Sequence, residues 1–377
     1  MKIGLTATMI QGGRSGVAQY VFSLVRELIR TGDVDLNVFV LEDELPLLDF
    51  AKEGCRVIPV PRAAAPPVKN ILWHQLKLPQ LAGDLKLDVL HVPSYRRLVR
   101  SAPCPTVGTI HDLAPFHVKG KYDLARMFYG RVIVKSLARA QKEIIAVSHC
   151  TARDIETYFG IPQSRLHVIH NGIDHDRFFP GDIQTARAWT EEKHNLCAPF
   201  FLYVSRLEHP GKNHVRLIEA FTAFKRVTGS RWQLALGGGD WHGSEEIKSA
   251  ASASPFASDI RFLGFVPDAD LPNLYRAAQA MVYPSLFEGF GLPPVEAMAC
   301  GTPVISSTRG ALEEVVAEAA LTINPEDVEN MTQALTRIAE DDGLARALRA
   351  KGISNAARFR WSRTADEVMK IYRRAMG

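Results

Sequence analysis

Residues 280–296 of this 377-residue chain read AMVYPSLFEGFGLPPVE. The apolar run Ala280–Pro284 predicts a short buried strand, and the glycines that follow it predict a tight loop. Pro293 and Pro294 suit the first turn of a helix, where a missing N–H costs nothing. The stretch therefore predicts a strand, a glycine loop and a helix start, which together form the repeating unit of a parallel α/β sheet.

The same pattern recurs along the whole chain. Short apolar runs alternate with amphipathic stretches, of which residues 16–30 are the first. We predict twelve strands, at Ile3–Thr8, Leu36–Leu41, Arg56–Val60, Val89–Pro93, Thr106–Ile110, Ile144–Val147, His167–His170, Phe201–Ser205, Gln233–Gly237, Arg261–Phe265, Ala280–Pro284 and Val304–Ser307. The predicted fold class is therefore α/β, with two doubly wound, Rossmann-like domains.

The length of the chain and a polar segment set the predicted domain boundary. A single hydrophobic core rarely grows beyond about 250–300 residues, and residues 172–199 have the glycine, proline and polar content of a linker. We place an N-terminal domain at residues 1–180 and a C-terminal domain at residues 181–360. Ligands of open α/β sheets bind beyond the carboxyl ends of the strands, so we expect a shared site in a cleft between the two domains.

Composition limits the class of protein. The chain is 46% apolar and 23% charged, as a globular enzyme is. The N-terminus lacks the basic flank and cleavage site of a signal peptide, and no apolar run approaches the roughly 20 residues of a membrane-spanning helix. The five cysteines are scattered, without a CxxC pair. We therefore expect a cytoplasmic protein.

Charge is uneven between the two halves of the chain. Residues 1–180 carry 23 Lys and Arg against 17 Asp and Glu. The excess is either an ordinary solvated surface or a basic face for an anionic acceptor or a membrane. The cations that would form such a face are Arg96, Arg97, Arg100, Lys119 and Lys121.

The glycine loop at residues 285–291 is the first candidate site. Free amides at the following helix start, backed by the helix dipole, form a site for a phosphate. Glu288 lies in the loop and Glu296 in the first helical turn, so the two carboxylates could accept hydrogen bonds from hydroxyls at opposite ends of a ligand. The alternative is a glycine turn whose glutamate only complements the helix dipole.

Two cations follow the predicted strand Phe201–Ser205. Arg206 and Lys212 should lie near the glycine loop in a doubly wound sheet, where both could reach the same phosphate. Fixed Arg and Lys donors stabilise the charge that develops on a diphosphate leaving group without a metal. The alternative is an ordinary surface pair of cations.

Three further features are weaker signals. The first glycine loop, residues 12–16, departs from GxGxxG, so a redox dinucleotide site is weakly supported. His111 follows the strand Thr106–Ile110, where it is either a structural histidine or a substrate contact. The Asp-x-Asp triplets that begin at Asp33, Asp174 and Asp268 do not end strands, so we assign them structural roles and expect no metal site.

The segments described so far resemble glycosyltransferase family 4, the retaining enzymes of GT-B fold, and the resemblance spans nearly the whole chain. Its most specific part is the Glu-x7-Glu pattern of Glu288 and Glu296, with Arg206 and Lys212 spaced before it. Other matching segments are Ser15–Val17, His111–Asp112, Ala146–Ser148, Val168–Asp174, Ser205–Leu207 and Phe287–Pro293. The resemblance implies a bacterial polysaccharide-type hexosyltransferase.

The resemblance also implies a role for each site residue. Glu296 would bind the ribose hydroxyls and Glu288 the donor sugar, while Arg206 and Lys212 would grip the diphosphate and His111 would lie by the sugar. Further donor-binding positions implied are Gly16, Gly239, Phe265, Val266, Phe290, Gly291 and Leu292. The C-terminal helix, residues 361–377, is expected to pack back on the first domain.

The implied reaction is transfer of a hexose, with retention and without a metal or other cofactor. The donor would be a nucleotide diphosphate sugar, with UDP-hexose such as UDP-glucose favoured and GDP-mannose as the alternative. The acceptor would be a glycan or a polyprenyl-linked saccharide, at the inner face of the membrane if the chain makes peripheral membrane contact. We expect no nucleic-acid partner.

Rival functions make different demands on the chain. A nucleotide-sugar epimerase of the same architecture would use water in place of an acceptor alcohol. A non-catalytic sugar-binding protein with two lobes would need export. A pyridoxal-phosphate phosphorylase would need a buried cofactor lysine that the sequence does not identify.

Overall fold

The computed structural model of the chain describes residues 1–118 and 127–377. These residues form two compact units, each built on one parallel sheet. The first unit contains Met1–Phe116, residues 127–172 and Trp361–Gly377, and the second contains residues 117–118 and Ile173–Arg360.

The chain leaves the first unit after Gly172, earlier than the predicted boundary at residue 180. The reason is local: the Ile173 N–H donates to the Phe359 carbonyl at 3.2 Å, so residue 173 is already hydrogen-bonded within the second unit.

The first unit is built on seven parallel strands in the order β3-β2-β1-β4-β5-β6-β7. Strand β1 is an interior strand, with Ile3 opposite Leu36 of β2 on one side and Val89 of β4 on the other. The strands are β1 Lys2–Thr6, β2 Asp35–Leu41, β3 Arg56–Val60, β4 Val89–Val92, β5 Thr106–Ile110, β6 Glu143–Ala146 and β7 Leu166–Val168. Strands β4, β5 and β6 are buried along their whole length, as parallel strands covered on both faces are.

The second unit is built on six parallel strands in the order β10-β9-β8-β11-β12-β13. They are β8 Phe200–Val204, β9 Gln233–Gly237, β10 Ile260–Gly264, β11 Ala280–Tyr283, β12 Val304–Ser307 and β13 Leu321–Ile323. Strand β8 pairs with β9 on one side and with β11 on the other, so the order of strand addition reverses between β8 and β11. The loops that follow β8 and β11 therefore leave the sheet side by side, at the point where α/β proteins bind ligands.

Helices connect the strands of both sheets. Among the described residues they are α1 Gly16–Thr31, α2 Pro67–Asp84, α3 Val134–Ala140, α4 His149–Asp154, α5 Ile183–His194, α6 His214–Thr228, α7 Ser244–Ala253, α8 Leu271–Ala277, α9 Leu292–Ala299, α10 Leu312–Val316, α11 Val328–Glu340, α12 Asp342–Ala356 and α13 Trp361–Met376. Two π-helical segments, Tyr129–Ile133 and Ile155–Phe159, adjoin α3 and α4. The α/β fold and its two Rossmann-like sheets are as predicted.

Two elements differ from the sequence prediction. All twelve predicted strands are present, but the edge strand β13 was missed because it has only three residues. The predicted linker at residues 172–199 contains helix α5, whose N-cap Asp182 accepts from the Thr185 N–H at 2.6 Å. Helix α5 buries only Ala186 and Thr190, so its sequence is too polar to show an apolar face.

The C-terminal helix α13 belongs to the first unit. The Tyr372 hydroxyl lies 2.7 Å from Nδ1 of the buried His91, and the His91 Nε2 lies 2.8 Å from the Thr109 hydroxyl. Trp361 packs edge-on against Tyr20 of α1, with ring centres 5.9 Å apart. Aromatic packing and a buried polar chain thus anchor the helix to α1, β4 and β5.

Candidate active site

The two loops at the switch point of the second unit are hydrogen-bonded to each other. The Leu286 N–H donates to the Gly211 carbonyl at 3.0 Å. The Asn213 side chain, which is 2% exposed, donates to the Pro284 carbonyl at 3.1 Å. The loop after β8 and the loop after β11 are therefore held together, as the predicted sheet required.

Lys212 and Glu288 meet where these loops join. Lys212 Nζ lies 2.5 Å from Glu288 Oε1, and each side chain is only 16% exposed. The Tyr283 hydroxyl donates to the same carboxylate oxygen at 3.1 Å. Burial opposes the charge on Lys212, but the Glu288 carboxylate outweighs it and raises the pKa of Lys212. The ammonium group is therefore charged at neutral pH.

Arg206 lies on the same loop with different partners. Its guanidinium is 4.6 Å from the centre of the Trp241 ring, a cation–π contact, and 3.4 Å from Oε2 of the buried Glu208. Its side chain is 44% exposed, so an anion can reach it. The structure thus joins Lys212 directly to Glu288 and holds Arg206 through Trp241 and Glu208.

Helix α9 starts where the β11 loop ends, at Leu292. Its N-cap Gly291 has a φ of 97°, a backbone conformation that favours glycine, and a Cβ there would also press on the end of the Leu312 side chain at 2.5 Å. Pro293 and Pro294 have no N–H, so the amides available for an anion at this helix start are those of Gly291 and Leu292. Phe290, by contrast, is 5% exposed and packs edge-on against Phe359, so its side chain supports the loop from within.

Glu296 lies on helix α9 and contacts the buried side chain of Tyr275. The Tyr275 hydroxyl donates to Glu296 Oε2 at 3.0 Å. Burial raises the pKa of Glu296 to about 7, and the Arg177 charge and the Tyr275 hydrogen bond oppose that rise. Protonation of this carboxyl group therefore changes near neutral pH.

The predicted base-binding positions lie at the carboxyl ends of β9 and β10. The Gly239 carbonyl accepts from the Leu207 N–H at 3.0 Å, and the space on its Cβ side is open within 4 Å. Phe265 is 52% exposed, whereas Val266 is buried. Open backbone beside an exposed ring offers a surface on which a flat base could stack.

His111 lies in the first unit, at the end of β5. Its Nε2 lies 3.1 Å from the Pro93 carbonyl, which can only accept, so the proton is on Nε2 and Nδ1 is an acceptor. Burial lowers the pKa of His111 to about 4, against the opposing effects of Asp112 and of the Pro93 hydrogen bond. The imidazole is therefore neutral at pH 7, and its Nδ1 can accept a hydrogen bond.

Gly16 opens helix α1 after the first glycine loop. The Ser15 side chain caps this helix by accepting from the Ala18 N–H at 3.2 Å. The Gly12 N–H donates to Oε1 of the buried Glu44 at 2.6 Å, so an acidic side chain from outside the loop holds it. Burial raises the pKa of Glu44, and the Gly12 hydrogen bond opposes that rise.

The Asp-x-Asp triplets have structural partners. The Asp174 carboxylate accepts hydrogen bonds from the backbone N–H groups of Asp176 and Arg177. Asp270 stands at the N-cap of α8, as predicted, but its carboxylate pairs with Lys193 at 2.6 Å and does not cap the helix. Within residues 1–118 and 127–377, no three His, Cys, Asp or Glu side chains gather as a metal site would require.

The sequence analysis missed several residues of this site. Tyr275 donates a hydrogen bond to Glu296, and Tyr283 donates one to Glu288. The Trp241 ring makes a cation–π contact with Arg206, and the charge on Arg177 lowers the pKa of Glu296. Tyr275 and Tyr283 are buried, and a buried aromatic residue in an apolar stretch looks like core. Only the exposed Trp241, two residues after the run Gly237–Gly239, was a visible signal in the sequence.

Two families of known proteins match the chain. Residues 14–177 match "Glycosyltransferase Family 4", and residues 189–358 match "Glycosyl transferases group 1". The two matches together cover most of the chain, and the second contains both cations and both glutamates of the site. This chain is a glycosyltransferase built from a family 4 domain and a group 1 domain.

Relatives of this glycosyltransferase include an Escherichia coli protein named O-antigen chain mannosyltransferase B. The two are 27% identical over 386 residues, which cover 99% of this chain and 100% of the relative.

Solved structures with the same fold include a sucrose-phosphate synthase from Thermosynechococcus elongatus. Its TM-score is 0.81 at 22% identity, over 99% of this chain and 98% of that one. Anabaena HepE, solved in complex with UDP-glucose, has a TM-score of 0.78 at 19% identity, over 98% and 99% of the chains. These similarities establish that the chain has the GT-B type of fold.

Proposed function

We propose that this glycosyltransferase moves a hexose from a nucleotide diphosphate sugar to a saccharide hydroxyl, with retention and without a metal. The observation that carries the proposal is the meeting of Lys212 and Glu288 beside the free start of helix α9. A cation and free amides suit a diphosphate, and an adjacent carboxylate suits sugar hydroxyls.

The leading donor is GDP-mannose. The support is the full-length similarity to a protein named as a mannosyltransferase. UDP-glucose, which the sequence analysis favoured, is the second candidate. The base would rest near Gly239 and Phe265, and Glu296 would bind the ribose hydroxyls.

The proposed chemistry assigns no protein nucleophile. The bond from the anomeric carbon to the diphosphate oxygen breaks, and the acceptor oxygen bonds to that carbon on the same face. The acceptor proton passes to the departing diphosphate oxygen. Arg206 and Lys212 stabilise the charge on the leaving group, and Glu288 holds a sugar hydroxyl. A trapped glycosyl adduct on Glu288 would refute this assignment.

The proposed acceptor is a glycan or a polyprenyl-linked saccharide, reached by peripheral contact with the inner face of a membrane. Support comes from the O-antigen chain named in the E. coli relative. Among the described helices, none combines the length and the apolar character needed to span a bilayer.

The donor is tested first by thermal shift with GDP, UDP and ADP, and then by transfer from GDP-mannose and UDP-glucose to saccharide acceptors. A ligand at 100 times its Kd stabilises a protein by about 2.7 kcal/mol, which moves the melting temperature by several degrees. The proposal expects such a shift with GDP, its loss in Glu296→Ala, and mannose transfer. Release of the nucleotide without transfer to any glycan would favour the epimerase instead.

A further inference from the structure

Helix α2 leaves a row of large apolar side chains open to solvent. Val68, Leu72 and Leu76 are 69%, 52% and 63% exposed. Their spacing of four residues places them on one face of the helix, over a length of about 12 Å. The opposite face is buried in the first unit, so this row is not the core side of α2.

The surroundings of this row are cationic. Lys69 and Lys77 are exposed on the same helix. Residues 54–83 contain no aspartate or glutamate. The Arg100 N–H donates to the Gln75 side chain at 3.0 Å, which brings a further exposed arginine beside the helix. We call Val68, Leu72 and Leu76, with Lys69 and Lys77, the α2 surface.

The α2 surface differs from the basic face considered in the sequence analysis. Arg97 is 8% exposed and donates to the Asn70 side chain at 2.6 Å, so it supports α2 from below and cannot face a partner. Lys119 and Lys121 lie outside the described residues. Arg100, unlike Arg97, is exposed where it contacts α2.

An apolar row flanked by cations, with no carboxylate along that part of the chain, has the properties of a bilayer-docking helix. Single exposed apolar residues are normal on protein surfaces, but an aligned set marks an interaction site. Leucine and valine side chains enter the boundary between headgroups and acyl chains, while lysines remain among anionic headgroups.

We propose that the α2 surface docks this protein on an anionic lipid bilayer. This inference deepens the proposed membrane contact and rests on that part of the proposed function. It does not depend on the identity of the donor, because vesicle binding is measured without any nucleotide sugar.

The test is co-sedimentation of the full chain with vesicles of phosphatidylcholine alone and of phosphatidylcholine with one-third phosphatidylglycerol. The variant V68S/L72S/L76S should lose about tenfold in binding to the anionic vesicles for each side chain that inserts. K69Q/K77Q should lose about fivefold for each removed cation. Val227→Ser is the matched control, because Val227 is 74% exposed beside Arg226 but lies on α6 of the second unit.

Binding of the wild type to anionic vesicles only, with losses in both α2 variants and none in Val227→Ser, supports the proposal. Equal binding of the wild type and the triple variant overturns it. So does conversion of a dimer to a monomer by the triple variant without vesicle binding, because the surface would then join two copies of the chain. Thermal shift with GDP and UDP on the same samples reports the proposed donor site separately.

A second inference concerns the two phenols under the site carboxylates. Tyr275 and Tyr283 are fully or nearly fully buried, at 0% and 3% exposure. One donates to Glu296 at 3.0 Å and the other to Glu288 at 3.1 Å. Each glutamate of the Glu-x7-Glu pattern thus rests on a tyrosine that the protein interior holds in place.

The hydrogen bond from Tyr275 fixes the orientation of the Glu296 carboxylate. With Oε2 held by the phenol, Oε1 is the oxygen that can accept from a ligand hydroxyl. The Tyr275 carbonyl in turn accepts from the Thr302 hydroxyl at 2.6 Å, which fixes the backbone behind the phenol. A free carboxylate would have to give up rotational freedom when the donor binds.

We infer that Tyr275 and Tyr283 are positioning residues, which orient Glu296 for donor binding and Glu288 for transfer. This inference rests on the proposed function. Tyr275→Phe and Tyr283→Phe are matched variants, because each removes one hydroxyl from a buried ring and leaves the ring in place.

Tyr275→Phe should raise the donor Kd about tenfold with little change in kcat, since a hydrogen bond to a charged group is lost. Tyr283→Phe should lower kcat about tenfold with little change in the donor Kd. Titration calorimetry measures the Kd, and a transfer assay at saturating donor measures kcat. A variant that only loosened the fold would move both quantities together.

Donor binding should also depend on pH. Glu296 accepts best when ionised, so the affinity should fall as the pH drops through about 7, the pKa that burial produces. The groups that face Glu296 are Arg177 and Tyr275, which lower its pKa, and Asp268 and Asp174, which raise it. Tyr275→Phe removes a lowering contact and should move the midpoint to higher pH.

The outcomes separate the two claims. A wild type that binds none of GDP, UDP, GDP-mannose and UDP-glucose refutes the proposed function. A wild type that binds the donor, with Tyr275→Phe unchanged in both Kd and pH midpoint, refutes the positioning role alone.

Discussion

Replacing Glu288 by glutamine would leave the Lys212 ammonium beside an uncharged amide. The pair is 2.5 Å apart and each side chain is 16% exposed, so little water can replace the lost carboxylate. Removing one partner of a buried pair costs about 3–5 kcal/mol. Because the pair keeps some contact with water, we expect the lower end, about 3 kcal/mol. For a unit of this size, that loss lowers the melting temperature by about 6–12 °C.

The assay is differential scanning fluorimetry at pH 7.5 on Glu288→Gln, Lys212→Met and the double variant. The double variant should recover about 3 kcal/mol relative to the sum of the single losses, because it removes both charges. Glu326→Gln is the matched control: it breaks the 2.6 Å pair with Arg309, whose side chains are 58% and 48% exposed, and should change the melting temperature by less than about 2 °C. Equal shifts in Glu288→Gln and Glu326→Gln would refute the reasoning.

Other predictions concern the donor site and the C-terminal helix. Arg206→Ala should lower kcat about 100-fold through lost charge stabilisation of the leaving group, whereas Glu296→Ala should mainly raise the donor Kd; steady-state kinetics and calorimetry separate the two. Transfer activity should survive EDTA, and complete loss that Mn²⁺ restores would contradict the proposed metal-independent chemistry. Tyr372→Phe removes the hydroxyl that bonds His91 and should cost about 1 kcal/mol, read as a lower melting temperature with unchanged donor affinity.

The strands and the site loops could be predicted because their signals are local. Ala280–Pro284 is apolar over its whole length. The glycines after it predict a tight loop, and the prolines predict a helix start. Helix α5 could not be predicted, because its two buried residues are too few to form an apolar face. Strand β13 could not be predicted, because it has only three residues.

Which of the basic residues are exposed also could not be predicted from the sequence. Arg97 looks like a surface arginine in the sequence, but the first unit buries it against Asn70. The exposed row on α2 could not be told from a core-facing row, because leucines at helical spacing predict burial until the neighbouring elements are known.

By itself, the sequence determined the α/β class, the strands of both sheets save β13, the resemblance to family 4, and the loops that carry the candidate site. Only the tertiary structure decided which side chains meet there. Lys212 and Glu288 lie 76 residues apart in the chain, and they touch because β8 and β11 pair at the centre of one sheet. Tyr275 and Glu296, 21 residues apart, meet because helices α8 and α9 pack together. Such contacts depend on packing in three dimensions, which local patterns do not encode.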